Sequence, residues 1–398
     1  MFRLPQPRSG PAAPTPAEIA AAVGAAGGEV AELLAYAETR FDPGAVEARV
    51  ELPLPDEPFV SHWRRLARRA RRQGVFEVLA GELPQLAFPV RSGMSRDPDY
   101  RSATLEGVEP AGLPGAVGLG LRRPEAIELT LHASPAGAVP VLVAPDRDDF
   151  VALVRALAWR NEPAAVPAAQ GAAMIAGYNN WSRLRALRRR WRRTLAADRE
   201  TRTWGEELRR LRAHKELYQD RFIVLSDGPY SAVPGPELGL DEAEWRRLSR
   251  TVRLEHECTH YFTRRLYRSM RNHLLDELIA DYCGLVAATG RFRAGWFLRF
   301  LGLRGRAARG SGRIALYRGD PPLSDGAFAA LARLVESAAD ALERFDRGRP
   351  LDPGDLGRRG LRVAALCGFT LLDLAAPGAP GELAAAEERL RRRLSVLL

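Results

Sequence analysis

Residues 254–261 read Leu254-Glu255-His256-Glu257-Cys258-Thr259-His260-Tyr261, and downstream comes Leu275-Asp276-Glu277-Leu278-Ile279-Ala280-Asp281-Tyr282-Cys283-Gly284. The first stretch lies in a run that reads as helix from Asp241-Glu242 through Trp245, Leu248 and Val252. Residues four apart on a helix share a face. His256 and His260 can therefore aim imidazole nitrogens at one point, a geometry that Zn²⁺ accepts at about 2.0–2.1 Å. Glu257 is turned about 100° from His256. It can reach a water molecule without ligating the metal and is placed to act as general base. A catalytic zinc takes three protein ligands and keeps one position open. Glu277 and Asp281 share a face of a second expected helix, from about Leu274 to Ala288. Glu277 can supply the third ligand, and Asp281 can accept the free N–H of a ligating histidine, which fixes its tautomer. The loop 268–273 is long enough to turn the two helices antiparallel. His273 and Asp276 are the rival third ligands. The blander reading is that the two histidines are ordinary surface or core residues of one helix face.

His256-Glu257-x-x-His260 followed by Glu277-x-x-x-Asp281 resembles the thermolysin-like gluzincin zinc metallopeptidases. Asp276-Glu277-Leu278-Ile279-Ala280-Asp281-Tyr282-Cys283-Gly284 is similar to that group's Asn-Glu-x-x-Ser-Asp-x-x-Gly run. The resemblance implies that His256, His260 and Glu277 are zinc ligands, Glu257 the base and Asp281 the carboxylate behind a ligand. It also implies an edge strand before the motif helix that pairs with extended substrate backbone, for which 221–225 is the positional candidate. An ordinary buried strand is the competing reading of that segment. Such peptidases use a further donor for the oxyanion. No histidine follows His273, so the distal histidine is missing, and Tyr267, Arg271, His273 and Tyr317 are the substitutes. The likeness covers about 30 residues, and the stretch between the motifs is somewhat shorter than in the family's type member.

Outward from the motifs, the expected fold class is α+β. It has a zincin-like metallopeptidase core over 171–290, an N-terminal mixed α/β domain over 15–170 and a helical C-terminal region over 291–398, preceded by a Pro-rich tail over 1–14. Thr15-Pro16-Ala17-Glu18 is a capping box that opens a helical stretch to about Arg40 with a weak point at Gly27-Gly28. Residues 46–54 alternate like a strand, and 56–73 reads as a helix with an arginine-rich outer face. Short apolar runs at 75–79, 86–90, 126–131 and 139–143 read as strands. Asp146 or Asp148 can cap a helix to Trp159. The Pro/Ala-rich 161–169 is the linker candidate, and 171–181 has no assignable role. Residues 181–221 are strongly helical with a break near Asp198, 222–225 is a short strand, and 313–317 a further short strand.

The chain has 398 residues, 46% hydrophobic and 27% charged, which excludes whole-chain disorder, collagen and a disulfide scaffold. Apolar runs stop well short of the roughly 18 residues that span a bilayer, so no membrane partner is expected. The opening residues lack an apolar core, so no secretory leader is expected either. Cys258, Cys283 and Cys367 are odd in number and sparse, which fits free thiols in a reducing cytoplasm. Cys258 is expected to face the core, and His62, His132 and His214 to be isolated structural or surface residues. Net charge is +10 with Lys215 the single lysine. Arginines accompany Trp63 and Trp181 on two helices, which suits phosphate contacts, although solvated helix faces are the preferred reading of both. The expected activity is that of a zinc-dependent hydrolase cleaving an amide bond of a peptide or protein. The alternatives are a basic nucleic-acid-binding protein and an inactive zincin scaffold.

Overall fold

The computed structural model describes residues 13–38, 41, 50–198, 203–269, 273–305 and 312–396. In chain order its principal helices are α1 (Pro16–Ala22), α2 (Gly28–Ala37), α3 (Val60–Gln73), α4 (Arg147–Ala158), α5 (Trp181–Asp198), α6 (Glu242–Tyr267), α7 (Leu274–Thr289), α8 (Asp325–Gly348), α9 (Leu356–Leu366) and α10 (Ala379–Arg393). The main strands are β1 (Glu128–Ser134), β2 (Gly137–Ala144), β3 (Ala172–Asn179) and β4 (Gln219–Ser226). The architecture is mixed α+β. It divides into two compact units, residues 51–262 and residues 263–396 with the segment before residue 51.

The unit 51–262 is built on a sheet in the order β1-β2-β4-β3. β1 and β2 form an antiparallel hairpin from Glu128 opposite Val143 to Ser134 opposite Gly137. β2 runs parallel to β4, with Val141 opposite Ile223 and Ala144 opposite Ser226. β3 is antiparallel to β4, with a bulge between Ala176 and Tyr178 where Gly177 takes a positive φ of 76°. The 221–225 segment is therefore an interior strand paired on both sides, not a sheet edge. The physical cause is visible in its composition: Phe222, Ile223, Val224 and Leu225 are all fully buried, as a strand covered on both faces requires. α3 packs on β1 and β2, and α4 on β2, β3 and β4. Trp63 of α3 packs on Phe222 with ring centroids 4.8 Å apart and planes tilted by 43°, and donates its indole N–H to Asp220 Oδ2 at 2.8 Å.

Several sequence expectations change here. Residues 75–79 form a helix (Val75–Ala80) and 84–87 a 3-10 turn, not two strands. Short apolar runs carry no period that separates the two states. The 46–54 strand is reduced to Glu51–Leu52 among the described residues. Within the 171–181 segment, Ala172–Asn179 forms β3 and Trp181 opens α5. Asn161, at the start of the expected linker, is fully buried and donates from Nδ2 to Gln85 O and Phe88 O at 3.0 and 2.9 Å.

In the other unit, Thr15 caps α1 through the expected box with Glu18. The helical stretch breaks at Gly24 and Gly27, which take positive φ. α8 buries Leu331, Leu334, Val335, Ala338 and Leu342 at helical spacing against α2, α10 and the helix Ala294–Phe300. α7 is buried from Leu274 to Val286, and three of those buried residues are Asp276, Glu277 and Asp281. Buried carboxylates need partners. One lies on the segment 313–317, which is a 3-10 turn and not the expected strand. No helix among the described residues is long and apolar enough to cross a membrane.

Candidate metal centre

α6 carries His256 and His260 one turn apart, 7% and 8% exposed. Their Nε2 atoms are 3.0 Å apart, and the rings meet nearly perpendicular at 84° with centroids 4.6 Å apart. Both imidazoles thus offer the same nitrogen toward one locus, as the i, i+4 spacing predicts.

The other nitrogen of His256 has a neighbour that sequence reasoning missed. The Tyr230 hydroxyl lies 2.9 Å from His256 Nδ1. Tyr230 sits in the loop after β4, and α6 itself holds that loop. Ser249 Oγ accepts the Tyr230 backbone N–H at 3.0 Å. Arg253 donates to Ser226 O, Gly228 O and Pro229 O at 2.8, 2.9 and 3.3 Å, and its guanidinium lies over the Tyr230 ring at 5.8 Å. Burial lowers the Arg253 pKa, while the neighbouring Tyr230, Asp227 and Glu257 act to raise it. Gly171 makes room for this side chain, because a Cβ there would come within 2.2 Å of Arg253 Nε. Ser231 and Ala232, with φ of 51° and 57°, turn the chain through the left-handed region just after Tyr230, a conformation that costs about 1–3 kcal/mol per residue and persists only where surroundings impose it. No periodic pattern announces a tyrosine in a Gly-Pro-Tyr-Ser loop.

Glu257 is half-buried on α6, next in sequence to His256. It carries the general-base expectation without standing among the grouped donor atoms described below.

On α7, Glu277 and Asp281 are one turn apart and buried. Arg313 serves both: its Nη2 hydrogen-bonds Asp281 Oδ2 and lies 3.5 Å from Glu277 Oε2. The Tyr317 side chain hydrogen-bonds Glu277, and its phenol pKa is pushed up by burial first and then by the Glu277 charge. Of the expected oxyanion donors, Tyr317 is thus beside Glu277. Tyr267 donates to Ala364 O at 3.1 Å, a packing contact, and Arg271 lies outside the described residues. His273 caps α7, with Nδ1 accepting the Leu275 N–H at 3.2 Å, Nε2 2.6 Å from Tyr36 O and its ring stacked on Tyr36. Asp276 lies near Cys367, whose thiol pKa is raised by burial and then by the Asp276 charge.

Among the described residues of the unit 51–262, His132, Glu255 and Cys258 form a group that could hold a metal ion, with one donor atom from each within 4.8 Å of the others. His132 is therefore not isolated, as its lone position in the sequence suggested. None of the three cysteines is in a disulfide, and all are buried. Residues 18–378 match a family of unknown function, DUF7005. No curated protein and no solved structure matches the chain.

Proposed function

The chain belongs to the DUF7005 family, and from its own residues we propose that it is a zinc-dependent hydrolase acting on amide bonds of peptides or proteins. The observation that carries this reading is the buried pair His256 and His260, whose Nε2 atoms converge on one locus, with Glu277 proposed as the third ligand. Two imidazole nitrogens and one carboxylate are a donor set typical of catalytic zinc. An Nε2–Nε2 separation of 3.0 Å is close to the roughly 3.3 Å that two nitrogens span on a tetrahedral ion with 2.0–2.1 Å bonds. His256, His260 and Glu277 would hold the ion, and zinc would supply Lewis-acid activation of water and of the scissile carbonyl.

The chain's own residues then divide the remaining work. When the Tyr230 oxygen accepts the His256 Nδ1 proton, the Nε2 lone pair is left facing His260. Glu257 accepts a proton from water and passes it to the leaving amine. Arg313 holds the carboxylates of α7 in place by charge-assisted contact. Tyr317 donates to Glu277 and sets its orientation.

Elemental analysis of the purified chain tests the site. Wild type is expected to carry zinc at the His256 site, and His256→Ala to lose it; unchanged zinc content in that variant removes the assignment. Glu257→Gln is expected to keep the zinc and lose cleavage of a peptide library by at least about 100-fold. Turnover equal to wild type in that variant sinks the mechanism. Zinc retained by a wild-type chain that cleaves nothing would instead identify an inactive scaffold.

A further inference from the structure

We propose that His132, Glu255 and Cys258 form a second cation site, suited to a thiophilic divalent ion such as Zn²⁺. Glu255 and Cys258 are three apart on α6 and face the same way. They sit roughly 150° round the helix from His256 and His260, so the two donor sets are distinct. His132 comes from β1. Its Nε2 is 2.9 Å from Glu255 Oε1, and one donor atom from each of the three residues lies within 4.8 Å of the others.

A histidine–glutamate ion pair by itself requires no third group. Here a thiol is added, giving one nitrogen, one oxygen and one sulfur donor. Thiolate with imidazole favours zinc over magnesium or calcium, which prefer oxygen ligands. Glu255 and Cys258 are buried, whereas the His132 side chain keeps 28% exposure. The site thus has one open side, through which an ion can enter and a solvent molecule can take a fourth position. The supporting elements are held in register nearby, because Arg250 of α6 pairs with Glu128 of β1. Binding releases the Cys258 proton to solvent, and the thiolate, the neutral imidazole and the carboxylate become the ligands. An ion there would tie β1 to α6. This proposal stands on its own donor set and does not need the hydrolase reading.

The test uses the full chain, stripped with a chelator and reloaded with Co²⁺ or Zn²⁺. The expected result is two ions per chain and a thiolate-to-cobalt charge-transfer absorption in the cobalt form. Cys258→Ser and His132→Ala are each expected to lose that absorption and one ion. His256→Ala is expected to lose the other ion and keep the absorption. A wild-type cobalt form without the absorption overturns the proposal, as does a Cys258→Ser form that retains it. One ion per chain with the absorption present supports the second site and removes the His256 site instead. Should Cys258→Ser fail to fold by circular dichroism, the partly exposed His132→Ala decides, and two ions in that variant refute the site.

Discussion

At the scale of single residues, the arrangement around His256 turns on a hydroxyl that the linear sequence hides. Tyr230 is 26 positions from His256, yet its oxygen is 2.9 Å from the Nδ1. A partner on the remote nitrogen of a ligating histidine raises ligand basicity and fixes the tautomer, and its removal typically weakens metal binding by about 10- to 100-fold. Tyr230→Phe is therefore expected to lower zinc affinity by about that factor while thermal unfolding shifts little, since the ring and its packing remain. A competition titration with a zinc chelator reads the change; affinity equal to wild type would show that the contact does not orient His256. The residues of the motif itself were legible, because i, i+4 geometry is a property of the helix and needs no tertiary information.

At the scale of elements, Glu82 links α3 to its surroundings. His62 Nε2 lies 3.5 Å from it, Arg69 pairs with it at 3.0 Å, and its backbone oxygen accepts from Tyr178 of β3 at 2.7 Å. Burial acts to raise its pKa, but hydrogen bonds from His62, Ser182 and Arg69 outweigh that and hold it at about 2, against 4.5 for a free carboxyl. The folded pKa is depressed, so the stabilisation is fully present above the unfolded value and is lost as pH falls from about 5 to about 2. With solvent screening it contributes about 1–2 kcal/mol. Glu82→Gln should be less stable than wild type at pH 7 by that amount in urea unfolding, and the difference should close across that acid window. A gap that persists unchanged at pH 2 would contradict the ion-pair account. The same element shows why its arginine face was ambiguous in the sequence. Arg64 pairs with Asp56 and Arg69 with Glu82, so part of that positive charge is compensated inside the unit. Strand and helix assignments at 75–79 and 86–90 went astray for a related reason: runs of four to six apolar residues fit either state, and the packing of the neighbours decides.

At the scale of the whole molecule, the unit carrying α7 to α10 is braced by a buried polar cluster that no motif announced. Arg362 of α9 is fully buried, donates to Glu387 Oε1 at 2.8 Å and to the Tyr282 hydroxyl at 2.6 Å, and lies 4.5 Å over the Phe345 ring. Tyr282 in turn donates to Asp346 Oδ1 at 2.7 Å. Helices α7, α8, α9 and α10 each contribute one member. Removing one partner of a buried pair leaves an uncompensated charge and typically costs about 3–5 kcal/mol. Arg362→Met should lose about that much in denaturant unfolding, and adding Glu387→Leu should recover part of it. No loss in the single variant would show that the cluster contributes little.

The sequence by itself determined the two motif helices, the placing of His256 and His260 on one helix face, the cap at Thr15, a cap at Asp146 or Asp148 and the mixed α+β class. Each of these follows from local spacing or local hydrogen bonding. Only the tertiary structure decided that the 222–225 run is an interior strand, that Tyr230 stands against His256, that His132 joins Glu255 and Cys258, and that Arg313 meets Glu277 and Asp281. Those contacts join residues far apart in the chain, and their partners are chosen by packing and by the need of buried polar groups for neighbours. Neither leaves a periodic trace in the sequence.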